Sequence, residues 1–219
     1  MSALNLQPLG VAVLAGGVAL ALVLIAWRLA SRRRSLPCPV WLRWLVELDN
    51  PFTKTNRAAF IVDTLAVKPG MTVLDAGCGP GRLTVPLARS VGPSGRVVAV
   101  DVQSGMLQRA KDKTQATGLT NVEFVAAGLG DGVLPESHFD RAVLVTVLGE
   151  IPDRAAALGE LFAALKPGGV LAIVEVIFDP HFQSRGTVTQ LANSAGFRET
   201  TFFGHSWAYV LHVEKPDTA

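Results

Sequence analysis

The chain has 219 residues, enough for one α/β domain with an appendage and too few for two domains that each bury their own core. It is 49% hydrophobic with a formal charge of +2, and both excesses sit at the N-terminal end. Residues 1–49 hold Arg28, Arg32, Arg33, Arg34 and Arg43 against Glu47 and Asp49, leaving 15 basic and 16 acidic residues from 50 to 219, a net of −1. The remainder therefore lacks the basic surplus of a nucleic-acid-binding domain.

From Pro8 to Trp27 the chain is almost wholly apolar, and a membrane-spanning helix needs roughly 20 such residues. Arg28, Arg32, Arg33 and Arg34 follow it and no side-chain charge precedes it, which predicts a single-pass anchor with the N-terminus outside and everything after Arg34 on the cytoplasmic side. A cleaved signal peptide has its basic residues before the apolar stretch, so the flanks disfavour that reading. Residues 1–34 are thus expected to be the anchor. In residues 35–50, Pro39 suits a helix start, and Trp41, Trp44, Leu45 and Leu48 share one helical face. That face either lies in the headgroup zone as an interfacial helix or packs on the globular part.

Residues 51–219 alternate between helix and strand patterns. A helix is predicted over 55–66, ending before Lys68-Pro69-Gly70. Thr72 to Asp75 reads as a buried strand, 82–91 as a helix, and Gly95 to Asp101 as a second strand. Ser104 is expected to cap a helix reaching Thr117. Val122–Ala126 and Phe139–Val145 read as strands, 153–165 as a helix, and Lys166-Pro167-Gly168-Gly169 as a turn into a strand from Val170 to Ile177. A helix over 184–195 precedes two closing strands, 197–203 and 206–213, with Gly204-His205 between them. Short apolar strands separated by helices predict a mostly parallel sheet covered on both faces, closed by an antiparallel hairpin.

The chemistry is carried by Asp75-Ala76-Gly77-Cys78-Gly79-Pro80-Gly81, a glycine-rich turn between a strand and a helix. Such a turn lets backbone approach a ligand at the carboxyl end of the strand. The spacing is Gly-x-Gly-x-Gly rather than the dinucleotide Gly-x-Gly-x-x-Gly, and an acid stands two residues before the first glycine. A carboxylate there repels pyrophosphate and attracts the sulfonium and ammonium of S-adenosylmethionine. Asp101, ending the second strand, is placed to accept hydrogen bonds from both ribose hydroxyls. Cys78 is expected to pack behind the cofactor. The two cysteines, Cys38 and Cys78, give no disulfide framework, and no Cys/His cluster has metal-ligand spacing, so no metal site is expected.

The segment from Asp63 to Val176 resembles the class I S-adenosylmethionine-dependent methyltransferases, and is most similar to the subfamily of quinone-biosynthesis C-methyltransferases and phospholipid N-methyltransferases. The matching pieces are Val73 to Gly81, Val98 to Val102 with Met106, Leu134-Pro135 followed by Phe139-Asp140, and Leu165 to Gly169. The resemblance implies a Rossmann-like seven-stranded sheet. It further implies that Asp75 and Gly77 line the methionine end, that Gly79 and Gly81 pass under the cofactor, and that Val102, Gln103 and Met106 border the adenine. Where family members carry Gly-Asp after the third strand, this chain reads Gly128-Leu129-Gly130-Asp131, so either Leu129 or Asp131 serves the adenine. Where many members have histidines after the fourth strand, it has Gly149-Glu150.

Methyl transfer is an in-line displacement at an already activated sulfonium carbon, so the protein chiefly positions the reactants; a phenol or ring carbon also needs a general base. The candidates are Glu150 and His181, with Glu175 and His205 behind them. Aromatic residues from Phe178 to Tyr209 suit a lipophilic pocket as well as an ordinary core. An anchored enzyme methylating a lipophilic acceptor, a phospholipid amine or a quinone precursor, is the first expectation. A membrane-tethered methyltransferase of small thiols or xenobiotics is one alternative, and a non-catalytic cofactor-binding scaffold is another.

Overall fold

A computed structural model describes residues 7–34, 47 and 53–217, with side chains in the first segment described only at 10–19, 22, 23, 25 and 26. Among the described residues seven strands form one sheet: β1 (Thr72–Ala76), β2 (Arg96–Asp101), β3 (Val122–Ala126), β4 (Phe139–Val145), β5 (Leu165–Val176), β6 (Arg198–His205) and β7 (Ala208–Glu214), in the order β3-β2-β1-β4-β5-β7-β6. β1 to β5 pair in parallel, while β7 runs antiparallel between β5 and β6. The expected mostly parallel sheet with a closing hairpin is therefore present.

The α-helices bounded within the described residues are α1 (Gln7–Arg34), α2 (Ala58–Thr64), α3 (Thr84–Val91), α4 (Ser104–Ala116), α5 (Arg154–Ala164) and α6 (Arg185–Ser194). Successive strand residues point to opposite faces, and here both faces are apolar. Leu74, Leu144, Ile173 and Leu211 pack with Leu158 and Leu161 of α5 and Val188 of α6. Their neighbours Val73, Val143, Val174 and Val210 pack with Ile61 of α2 and Leu87 and Val91 of α3 on the other side. Burying each such side chain stabilises by about 1.5–3 kcal/mol, and the continuous Val/Leu/Ile runs exist because neither face meets water.

Several boundaries differ from the sequence reading. Residues 55–66 do not form one helix: Arg57 is extended (φ −79, ψ 137) and separates a 3-10 turn, Lys54–Asn56, from α2. Ser104 is not the cap of α4. Gln103 holds that position, and its backbone N–H donates to Asp101 Oδ1 at 2.8 Å instead. The hairpin turns at Ser206-Trp207, so β6 runs on through Gly204 and His205. β5 starts at Leu165, which pairs with Phe139 across an irregular register.

The segment read as an anchor is a single 28-residue helix, α1, whose described apolar side chains are exposed (Leu14 72%, Val13 71%). A membrane-spanning helix is not found: among the described residues, no helix is long and apolar enough to cross a membrane. The expectation for residues 35–50 lies outside the described residues except at Glu47, whose carboxylate pairs with Arg109 Nε (2.9 Å) and Lys113 Nζ (3.2 Å) on α4. The Arg109 hydrogen bond is the main cause of a lowered Glu47 pKa, against a smaller opposing effect of burial.

At the end of the sheet away from the glycine loop, Asp140 joins three strands. Its Oδ2 accepts the Thr72 N–H at 2.8 Å and its Oδ1 the Lys166 ammonium at 2.7 Å. Partial burial raises its pKa, but Lys166 and Thr72 outweigh that and hold the carboxyl below its ordinary value. Asp140→Ala leaves a strand-opening N–H without its acceptor and is expected to cost about 1–3 kcal/mol in urea denaturation at pH 7. A depressed carboxyl contributes stability above its unfolded pKa and loses it as pH falls through the folded one, so the difference between the two proteins should shrink in acid.

Candidate active site

The turn after β1 is drawn across the end of β2 by two backbone bonds, Gly77 and Cys78 N–H to Val100 carbonyl, at 2.8 and 2.9 Å. Gly77 has φ +70, and a Cβ there would stand 2.5 Å from Val147 Cγ2, so only glycine lets the turn pass beneath the end of β4. Asp101 closes the turn: its Oδ2 accepts the Gly79 N–H at 2.8 Å while Oδ1 accepts Gln103. Burial raises the Asp101 pKa, opposed by these two N–H groups.

A cleft of about 370 Å³ opens here, lined by Gly77, Asp101, Val102, Gln103, Leu129, Asp131, Val147, Glu150, Ile151 and Pro152 among others. The volume lies in the range of small-molecule and cofactor sites, roughly 300–1,000 Å³. Of the residues expected at the cofactor, Gly77, Asp101, Val102, Gln103 and Leu129 line this cleft. Leu129 and Asp131 both reach it, and Asp131 Oδ2 is bonded back to the Gly128 N–H at 2.9 Å.

Five expected residues support the wall from behind. Asp75 is 3% exposed and lies beneath the turn, accepting from Thr84 Oγ1 at 2.6 Å, with burial pushing its pKa up to about 6. Cys78 packs on Ala99 and Leu107, and burial pushes its thiol pKa far up. Met106 is 2% exposed and is not among the cleft-lining residues. Gly79 acts through its N–H to Asp101. Gly81 lets the turn abut α4, where a Cβ would meet that of Ala110 at 2.9 Å.

The sequence reading missed Val147, Ile151 and Pro152. Val147 is aimed at Gly77 by Thr146, a β-branched residue at φ +53, and no sequence signal marks a non-glycine residue in that conformation.

At the β4 end of the cleft a second group converges. Glu150 lies in the 3-10 turn Leu148–Glu150, whose first two carbonyls accept from Arg154 Nε and Nη2, each at 3.1 Å. His181, 3% exposed, places Nδ1 3.7 Å from Glu150 Oε1 and 3.8 Å from Asp179 Oδ1. Glu175, 1% exposed at the end of β5, accepts the Gln183 N–H on Oε2 at 3.0 Å. Burial, against the Gln183 bond and with further repulsion from Asp179, pushes its pKa up to about 8. The structure thus brings Glu150 and His181 together with Glu175 nearby, but not His205, which is exposed on the hairpin and stacked on Trp207.

The model of a methyltransferase-domain family matches residues 67–207. Over 125 residues the chain is 36% identical to a ubiquinone/menaquinone biosynthesis C-methyltransferase of Vibrio vulnificus, covering 55% of this chain and 48% of that one. An Enterobacter protein of the same description is 37% identical over 117 residues, covering 53% and 47%. The chain spans about half the length of these curated relatives. A SAM-dependent methyltransferase structure from Aquifex aeolicus shares the fold (TM-score 0.73, 24% identity, 81% of this chain, 99% of that one). So does a Burkholderia thailandensis 1,6-didemethyltoxoflavin-N1-methyltransferase with bound 1,6-didemethyltoxoflavin and S-adenosylhomocysteine (TM-score 0.59, 24% identity, 73% and 76%).

Sheet order, glycine turn and cleft define a class I methyltransferase, with S-adenosylmethionine as its cofactor. By its match over residues 67–207 the chain belongs to the methyltransferase-domain family.

Two outcomes follow from the buried cluster. A Cβ on Gly149 would stand 1.9 Å from the His181 carbonyl oxygen, so Gly149→Ala must displace the His181 loop from Glu150, and methyl transfer should fall about 100-fold, the cost of a misplacement of about 1 Å. Glu175 has a raised folded pKa, so the native state holds a proton between pH 4.5 and 8 that the unfolded chain releases, and stability declines across that window. Glu175→Gln should flatten the decline, leaving the two proteins alike near pH 4 and the variant more stable at pH 8 by thermal melting.

Proposed function

We propose that this protein transfers a methyl group from S-adenosylmethionine to a lipophilic small molecule, a quinone precursor methylated at a ring carbon. The single observation that carries the acceptor class is the match to the ubiquinone/menaquinone biosynthesis C-methyltransferases over 125 residues, 55% of the chain.

The cofactor supplies an electrophilic methyl on a sulfonium. The cleft fits it: each Asp101 oxygen accepts one backbone N–H, and a carboxylate has about four acceptor sites, which leaves room for both ribose hydroxyls. In this reading Val102, Gln103 and Leu129 flank the adenine, Gly77 passes under the methionine portion, and Gly79, Gly81, Cys78, Met106 and Asp75 hold that wall in place. Glu150 stands at the β4 end, where it would take the acceptor's hydroxyl proton as the ring carbon attacks the methyl; the methylated carbon would then lose its own proton and the oxygen regain one, restoring the aromatic ring. His181, with Nδ1 3.7 Å from Glu150 Oε1, is the neighbour to which the proton would pass on closer approach. Neutral at pH 7, Glu175 adds no negative charge to the pair.

A lipophilic acceptor resides in a bilayer, and we assign its delivery to α1. That reading rests on the apolar run from Pro8 to Trp27, its arginine flank and the exposure of the side chains described along it, and in it the catalytic domain works at the membrane surface.

Incubating the full chain with methyl-labelled cofactor and a demethylated prenyl quinol should put label on the ring carbon, and Glu150→Gln should lower kcat about 10²–10⁴-fold. Label confined to water-soluble thiols would overturn the acceptor class. Deleting residues 1–34 should move the protein from the membrane pellet to the supernatant after centrifugation.

A further inference from the structure

A groove of about 590 Å³ lies at the hairpin end of the sheet, with walls that include Phe60, Phe203, His205 and Trp207 and a rim at Lys54 and Thr55. It shares no lining residue with the cofactor cleft. Its aromatic walls are built. Phe60 meets Phe203 edge-on at 5.7 Å, His205 stacks on Trp207 at 5.8 Å, and Lys54 lies 5.5 Å over the Phe60 ring. Gly204 is what brings the two sides together, since a Cβ there would stand 2.9 Å from Thr55 Cγ2 and 2.3 Å from the Ala208 carbonyl oxygen.

Position decides what the groove is for. β7 begins at Ala208, level with Val176 at the end of β5, so the hairpin tip lies on the same edge of the sheet as the glycine turn. β4, which ends at the methyl-donor side of the cleft, is two strand spacings from β7, or about 10 Å. Between them stand Ile177 and Phe178, 40% and 71% exposed, with the Ile177 N–H bonded to the Trp207 carbonyl at 2.7 Å. The stretch of the ligand edge between the cleft and the groove therefore presents two exposed apolar side chains. The cofactor cleft is no larger than a cofactor site, so an acceptor with a long apolar substituent must place that substituent outside it.

Resting on the function proposed above, we infer that this groove binds the hydrocarbon tail of the methyl acceptor while its ring sits at Glu150, the occupant being a prenyl or alkyl chain. Trp207 is exposed and Thr55 lies at the rim, so Trp207→Ala and Thr55→Phe alter the groove without entering the cofactor cleft.

Two measurements on the full chain in phosphatidylcholine vesicles test the inference. In turnover, lengthening the quinol tail from one to three prenyl units should lower KM by about tenfold or more. Trp207→Ala and Thr55→Phe should remove most of that gain while leaving KM for the one-prenyl acceptor unchanged; an undiminished tail effect in both overturns the inference. Independently of any turnover, 11-bromoundecanol should quench the Trp207 component of the fluorescence, defined by difference from Trp207→Phe. Thr55→Phe should abolish that quenching and undecanol should reverse it. If brominated phosphatidylcholine quenches Trp207 as strongly and Thr55→Phe makes no difference, the groove faces the bilayer and the inference fails. Quenching that tracks protein concentration marks a second copy in the groove, with the same consequence. Loss of quinol methylation with intact quenching refutes the acceptor and not the groove.

Discussion

The carboxylate of Asp101 is the interaction on which the site depends. It ends β2 and takes one backbone N–H from the glycine turn and one from the start of α4, so a single side chain sets the distance between the two walls of the cleft. A charge-assisted bond of this kind is about twice as strong as a neutral one, and the low exposure of Asp101 keeps water from competing. Around it the turn needs glycine because backbone passes close to Val147 at one point and to Ala110 at another. Asp75 and Thr84 brace the turn from below. What a ligand meets is therefore mostly backbone and one carboxylate, held by residues it never touches.

The second half of the site answers to a different constraint. Glu150, Asp179 and Glu175 lie near one another with Arg154 and His181, and three ionised carboxylates at such range would repel strongly. Burial resolves this by keeping Glu175 protonated at neutral pH. The negative charge is then concentrated on the groups that face His181 and the cleft. The same burial makes stability fall as pH rises through the Glu175 range.

Much of the architecture was legible in the sequence because both faces of the sheet are apolar, and short Val/Leu/Ile runs bounded by glycine and proline have few other uses. All seven strands were anticipated. The misreadings came where a local bond outweighs composition. Ser104 has the chemistry of a cap, but Gln103 takes the position through Asp101. Asp75 suits the ligand by its charge, and the first turn of α3 gives one of its oxygens a buried partner in Thr84. Met106 follows the family spacing and points into the core. The cluster of Glu150, His181 and Glu175 was visible only as separate candidates; that Gly149 allows the His181 loop to lie against the Glu150 turn is a fact of packing between segments thirty residues apart. Val147 was invisible, since nothing in the text foretells the left-handed backbone of Thr146. The 20-residue apolar run read as a spanning helix, whereas the described residues show a long helix with exposed apolar side chains and no span that qualifies.

The central claim is that the cleft closed by Asp101 is the S-adenosylmethionine site, and calorimetric titration of the full chain with the cofactor tests it most directly. The account predicts saturable one-to-one binding that Asp101→Ala weakens by at least about 100-fold, since that change removes charged hydrogen bonds worth about 1.5–3 kcal/mol each, while Glu150→Gln leaves the affinity nearly unchanged. Equal affinity in the chain and its Asp101→Ala variant would contradict it.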